Sequence, residues 1–470
     1  MRRKFKKLRL IENLEIQAAV AEGNCIARTE NQVVFVKFAA PGDVADVQVV
    51  AIKRNYQEGR IVKLHKASDK RAEPFCIHYQ TCGGCKWQHL DYTEQLAFKQ
   101  QQVIDAFERL AGLSGFEVLP ILGAQKTREY RNKLDLTFSS RGWITTFDAT
   151  ADNRPNALGF HIPGRFDKVV DIVQCHLMTN YVNDIQRGVK AFCDAHGYTF
   201  YDLIAQQGLM RNLMLRCNRK GEWMVLMSFF KDDTEKREAL LNYIRDTFDK
   251  VTSLVYVINP KKNDTLQDLE VQCYHGDDHL IEELGGLQFK IRPQSFFQIN
   301  SEQAENLYTI TKDFAGLTGK ELVYDLYTGT GSIALYVADQ AREIVGIEYV
   351  PEAIMDAREN MHINGMSHLK FYAGDMKEIL TADFIAKHGK PDVLITDPPR
   401  DGMHPNVVKR ILESEPPRIV YVSCNPATQA RDAKLLDEKY QLIKIQPVDM
   451  FPHTQHVENV GLWELKEQHL

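Results

Sequence analysis

Between residues 14 and 66, apolar and polar positions alternate in short runs, the two-residue period of strands with one buried face. Two such runs in QVVFVKFAAPGDVADVQVVAI flank a Pro41-Gly42-Asp43 turn, and EGRIVKLHK predicts a third strand that ends in basic residues. Short strands at this spacing predict a small β-barrel of the oligonucleotide-binding type. The period then lengthens. In DYTEQLAFKQQQVIDAFERLAG, Leu96, Val103, Phe107 and Leu110 recur on one helical face and are expected in a core, with Gly112 as a stop. Residues 116 to about 290 mix both periods: RNKLDLTFS, GWITTF and EWMVLMSFF predict strands, and DTEKREALLNYIRDTF an amphipathic helix. From about residue 293 strands and helices alternate regularly. ELVYDLY, EIVGIEY, LKFYAGD, DVLITD and RIVYVSC predict strands. IALYVADQA and PEAIMDARENMHING predict helices, the second starting with Pro351 and ending at Gly365. This is the pattern of a doubly wound α/β sheet. The expected fold class is therefore multidomain α+β. It comprises a basic β-barrel over residues 1–68, a central mixed α/β domain over 69–292 and a Rossmann-like α/β domain over 293–470, on which the helix over 94–112 packs.

Length supports several domains, since 470 residues exceed what one core holds. No apolar run is long enough to span a bilayer, and no apolar signal core follows the basic start MRRKFKKLRL, so neither membrane insertion nor export is expected. Nine cysteines in a chain this long do not make a disulfide scaffold, and a reducing cytoplasm is the expected setting. The net charge of −5 hides an asymmetry: residues 1–70 hold 14 Lys and Arg against 8 Asp and Glu. A basic N-terminal module on an acidic protein points to an anionic partner, with nucleic acid the leading candidate.

The segment FCIHYQTCGGCKWQHL packs Cys76, Cys82 and Cys85 into one loop. In a reducing compartment these are metal ligands before disulfide partners, and Cys175, in VVDIVQCHLM, is the best candidate for a fourth. By count, four thiolates suit zinc or a [4Fe–4S] cluster equally. Cys25, Cys193, Cys217 and Cys273 show no partner pattern and are read as structural.

In DLYTGTGSIALYVA, Gly329 and Gly331 lie between a strand and a helix, where glycines let a ligand approach the backbone at a helix N-terminus. Glu348 closes the next strand, placed to hold two ribose hydroxyls. A dinucleotide and S-adenosylmethionine both fit this loop. The later strands favour the second: LITDPPR puts Asp397 at the carboxyl edge of the sheet, where ligands bind in open α/β folds. The next strand ends YVSCNPATQARD, so Cys424 shares that edge, and the Asn425-Pro426 helix start is expected to lower its pKa. In DMFPHTQHVENVGLWEL, Glu458 follows a loop that His453 and His456 are read as shaping, rather than as metal ligands.

RPQSFFQIN, DLYTGTGS, DPPRDGMHP, YVSCNPAT and FPHTQHVE occur in this order, and with them the chain resembles the RNA (uracil-5-)-methyltransferase family over nearly its whole length. The N-terminal β segment resembles the TRAM domain, an RNA-binding barrel. The cysteine loop resembles the iron–sulfur branch, which includes the 23S ribosomal RNA (uracil-5-)-methyltransferases. One departure is Thr328, where many relatives carry Cys. The resemblance implies an S-adenosylmethionine-dependent methyltransferase, with Cys424 as the nucleophile at C6 of uracil and Glu458 as the base at C5. It implies that Gln298, Tyr327, Glu348 and Asp397 line the cofactor site with Gly329 and Gly331, and that Phe296 stacks on the target base. It tips the Cys76, Cys82, Cys85 and Cys175 set toward a [4Fe–4S] cluster over zinc. The implied partner is RNA, 23S ribosomal RNA ahead of transfer RNA, bound by a monomer. Two rival readings are an amino-methyltransferase that does not use Cys424, and a non-catalytic RNA-binding assembly factor.

Overall fold

The computed structural model describes residues 9–30, 32–144 and 155–467. In the N-terminal module six strands pair in the order Leu10–Glu15, Val44–Ile52, Tyr56–Lys66, Val33–Lys37, Asn24–Arg28, Ala18–Ala19. Alternate residues turn inward: Cys25 and Ala27, Val34 and Val36, Ala45 and Val47 are buried together with Leu14 and Ile16. Residues near both ends of the strand order share that one core, so the sheet curls on itself. At the expected turn Gly42 has φ 96°, and the buried Asp43 accepts the Ala40 and Ser68 amides at 2.6 and 3.0 Å. Arg71 pairs with Asp43 at 2.6 Å and so ties the module to the segment that leads into the cysteine loop.

The helix that follows runs over Tyr92–Asp105 and widens to i→i+5 bonding over Ala106–Ala111, ending at Gly112 with φ 74°. The widened turn swings its last side chains around the axis. Val103 and Phe107 are buried as expected, but Leu110 is 58% exposed, which corrects its assignment to the core. Gln95 and Lys99 take buried places instead. Lys99 pairs with Asp449 at 2.6 Å, both side chains being wholly shielded from solvent. A charge survives such burial only when paired and hydrogen-bonded, and Phe451 O and the Tyr92 hydroxyl complete the set at 3.0 and 2.8 Å.

The central region is a seven-stranded mixed sheet in the order Arg165–Asp171, Ala157–Ile162, Lys133–Ser139, Met210–Cys217, Trp223–Phe229, Val251–Ile258, Gln272–Gly276. Helices Asn180–Ala195 and Thr234–Thr247 pack on it through Val182, Ile185, Leu240 and Ile244. Of the expected strand GWITTF, Gly142 makes only an isolated bridge to Val169, and residues 145–147 lie outside the described residues.

The C-terminal sheet carries β1 (Leu322–Leu326), β2 (Glu343–Glu348), β3 (Leu369–Ala373), β4 (Val393–Thr396), β5 (Arg418–Ser423), β6 (Tyr440–Val448) and β7 (Glu458–Leu465). The order is β3-β2-β1-β4-β5-β7-β6, with Glu117–Val118 added beside β6. Strands β1 to β5 are parallel and β7 is antiparallel to β5, with Ser423 opposite Asn459. Val103 and Phe107 of the 92–111 helix share a buried cluster with Leu322, Tyr324 and Tyr421, so this helix does pack on the C-terminal sheet.

Removing one partner of the buried Lys99–Asp449 pair leaves an uncompensated charge. K99M is expected to lower stability by about 3–5 kcal/mol in urea denaturation, and the double variant K99M/D449L by clearly less. Equal losses in both would contradict this account of the pair.

Candidate active site

The candidate residues collect at the carboxyl edge of the C-terminal sheet because the strand directions force them there. After β1 the chain turns sharply: Tyr327 has φ 62°, Gly329 φ 55° and Gly331 φ 79°. A Cβ on Gly331 would meet Leu335 at 2.7 Å, whereas one on Gly329 would meet nothing within 4 Å. Space is therefore open against the backbone at the start of helix Ser332–Val337. Glu348, at the end of β2, accepts the Gly329 amide at 3.1 Å and the Val350 amide at 2.9 Å. The unusual Thr328 donates its hydroxyl to Asp325.

Asp325 itself was missed in the sequence reading. It is fully buried near the end of β1, its Oδ1 has no hydrogen-bond partner, and burial raises its pKa to about 7. Its signal was an acid inside an otherwise apolar strand, four residues before Gly329. Burial likewise pushes Asp397, just beyond β4, up to about 7, with the Asp325 carboxylate adding to the rise.

Cys424 and Glu458 each lie one residue beyond the Ser423–Asn459 pair that closes the β5–β7 ladder, and the Glu458 charge is felt at the Cys424 thiol. Burial pushes Glu458 up to about 8, and Asp397 adds to it against the pull of Arg400. Burial also pushes the Cys424 thiol up, to about 11, with Glu458 and Asp397 raising it further and Arg400 opposing. This corrects the expected low pKa. The helix Pro426–Leu436 does start beside Cys424, but Asn425 caps it, its side chain accepting the Ala427 amide at 3.2 Å. Burial and two acids outweigh the helix end.

Arg400 was also missed in the sequence reading. Its backbone carbonyl accepts from Asn425 Nδ2 at 3.0 Å and Thr428 Oγ1 at 3.1 Å, and its guanidinium donates to His456 Nδ1 at 2.9 Å. Burial, then the Arg400 charge, hold the His456 pKa down to about 4, so the ring is neutral and can accept.

Gln298 is buried and Phe296 is 71% exposed on one loop. Asn132 Nδ2 donates to Gln298 O at 2.9 Å, the buried Arg216 reaches Ser295 O at 3.3 Å, and Asn300 Nδ2 donates to Met450 O at 3.1 Å. The loop is thus anchored next to the segment that precedes Glu458.

The four expected thiols, Cys76, Cys82, Cys85 and Cys175, line one cavity of about 400 Å³. Burial raises Cys85 to about 12 and Cys82 to about 11, and neighbouring thiols add to both. Among the described residues no group of three or more His, Cys, Asp or Glu side chains is spaced to hold a metal ion. A second cavity of about 480 Å³ lies at the opposite edge of the sheet, lined by Lys320, Asp392, Arg418 and Glu464, and holds none of the candidate residues.

The profile of the tRNA (Uracil-5-)-methyltransferase family matches residues 220–467, and that of the TRAM domain residues 10–62. An RNA methyltransferase of Porphyromonas gingivalis is 55% identical over 459 residues, covering 96% of this chain and 99% of its own length. One from Chlorobaculum tepidum is 36% identical over 476 residues, covering 99% and 98%. The chain belongs to the RNA uracil-5-methyltransferase family. The Pyrococcus abyssi tRNA (uracil-54, C5)-methyltransferase, solved with S-adenosyl-L-homocysteine, superposes with a TM-score of 0.74 at 28% identity, over 96% of this chain and all of that one. Membership makes the C-terminal sheet an S-adenosylmethionine-dependent methyltransferase fold and the N-terminal module a TRAM domain, as the motifs implied. No helix among the described residues is long and apolar enough to cross a membrane.

The buried acids carry a pH signature. Asp397 and Glu458 ionise near 7 and 8 in the fold, against ordinary values of 3.8 and 4.5. A raised acid stabilises the fold below its unfolded pKa, and that contribution is lost as pH climbs through its folded pKa. In the cofactor-free protein, E458Q is expected to melt above the wild type at about pH 8, with the gap shrinking toward about pH 5. A gap independent of pH in thermal melts would contradict the assignment.

Proposed function

We propose that this chain methylates C5 of a specific uridine in RNA, with Cys424 as nucleophile and Glu458 as base. The observation that supports this most is the nearness of a thiol just beyond β5 to a buried, basic carboxylate at the start of β7, on the sheet edge that also carries the glycine loop. Uracil C5 is a weak nucleophile. Once its proton has been given up to solvent, the Cys424 thiolate adds to C6, the C5=C6 electrons move into an enolate, and C5 becomes reactive. S-adenosylmethionine supplies the electrophilic methyl group. Glu458 then takes the C5 proton, the C5=C6 bond re-forms, and the thiolate is expelled. A carboxylate that ionises near 8 is a stronger base than an exposed one, which suits a carbon acid.

The remaining roles follow from position. Gly329 and Gly331 open the backbone to the cofactor, while Glu348, Tyr327, Gln298, Asp397 and the newly found Asp325 line its site. Phe296 stands out to stack on a base taken from its helix. The target in this reading is 23S ribosomal RNA, favoured by the cysteine loop joined to a TRAM module. Transfer RNA is the second reading, supported by what the Pyrococcus relative acts on.

Cys76, Cys82, Cys85 and Cys175 are proposed to hold a [4Fe–4S] cluster with a structural role. Four thiols on the wall of one cavity match the cluster's ligand type and number. Iron and sulfide analysis of anaerobically purified protein tests this directly.

E458Q should add and methylate but not eliminate. With S-adenosylmethionine and an unmodified RNA transcript it is expected to accumulate a methylated covalent complex on a denaturing gel. C424A should give none while still binding the cofactor. Turnover by C424A would favour the amino-methyltransferase reading, and cofactor binding without any activity in the wild type the assembly-factor reading.

A further inference from the structure

Residues 449–457 join β6 to β7 without helix or strand, yet their polar groups are closely fastened. Asp449 takes Lys99 and Tyr92, Met450 O takes Asn300, and Pro452 O accepts the Tyr130 hydroxyl at 3.1 Å. His453 is held through both its backbone and its ring. Its φ of 64° lies in the left-handed region, which asparagine and histidine enter more readily than most side chains and β-branched residues rarely do. Its carbonyl accepts the Lys86 and Trp87 amides at 2.9 and 3.0 Å. Its amide donates to Gln95 Oε1 at 2.8 Å, and Gln95 Nε2 reaches Nδ1 of its ring at 3.2 Å. The Phe75 ring meets the same imidazole edge-on, with centroids 5.0 Å apart.

Phe75 directly precedes Cys76, and Lys86 directly follows Cys85. The two ends of the cysteine loop therefore meet at one residue, Phe75 on its ring and Lys86 and Trp87 on its carbonyl, five positions before Glu458. His456, in between, holds Arg400. We infer that His453 is a positioning residue: its left-handed backbone, held by the Lys86 and Trp87 amides at the far end of the cysteine loop and by Gln95, sets the place of Glu458 and Arg400. The inference rests on the reading of Glu458 as the C5 base. It gives the cysteine loop a task inside the reaction centre, separate from any contact with RNA.

The test uses the order of the chemical steps. Glu458 acts only after the methyl group has moved, so a displaced base stalls elimination and leaves addition intact. Valine disfavours positive φ, whereas glycine and asparagine accept it. With whichever unmodified transcript the wild type methylates, 23S ribosomal RNA or transfer RNA, H453V is expected to lose about tenfold or more in kcat with KM for RNA little changed. It should also show a covalent RNA–protein band on ordinary RNA. H453G and H453N should keep kcat within about threefold of the wild type, although both lack the imidazole. If H453V does not fold, Q95A decides: it removes two of the clasping bonds without touching φ and should show the same band. An E458Q band together with H453V and Q95A proteins that turn over normally, or lose activity without a band, overturns the inference alone. Absence of the band in E458Q overturns the reading of Glu458 beneath it.

Discussion

The antiparallel pairing of β7 with β5 is the constraint on which the site depends. A parallel strand would have delivered its first residue to the far edge of the sheet. Because β7 runs backwards, its first residue, Glu458, arrives where β5 ends and Cys424 begins. The same edge receives Tyr327 from β1, Glu348 from β2 and Asp397 from β4. The glycine loop, Cys424 and Glu458 are thus brought to one edge by the backbone hydrogen bonds of a continuous sheet. The 449–457 segment is the price of that reversal, and the protein fastens it to residues from the cysteine loop, the 92–111 helix and the 296–303 region.

The candidate site disfavours its own anions. Asp325, Asp397, Glu458 and Cys424 are all raised by burial, and neighbouring carboxylates raise Asp397, Glu458 and Cys424 further, with Arg400 the opposing charge at Glu458 and Cys424. A cationic sulfonium brought beside these groups stabilises their ionised forms.

Much of this was legible in the chain. The period of two in the TRAM module, the strand–glycine loop–helix order and the Asp397, Cys424 and Glu458 endings depend on local pattern, and the structure places them as the pattern implied. What escaped depends on three-dimensional neighbours. Leu110 leaves the core because the last helical turn widens, which no spacing rule reveals. Lys99 looked like a solvated charge, and only its distant partner Asp449 makes its burial sensible. The helix start at Asn425 predicted an acidic thiol, but burial and two carboxylates reverse the sign. His453 read as loop shaping, and its left-handed backbone shows what it shapes.

The central claim is a covalent bond between Cys424 and C6 of uracil. It is tested most directly with RNA carrying 5-fluorouridine, whose C5 substituent cannot leave as a proton, so that elimination is blocked after methyl transfer. The account predicts a stable protein–RNA complex in the presence of S-adenosylmethionine. Mass spectrometry of its digest should place a methylated fluorouridine on the peptide that holds Cys424. A complex mapped to another residue, or no complex despite cofactor binding and methylation of ordinary RNA, would contradict it.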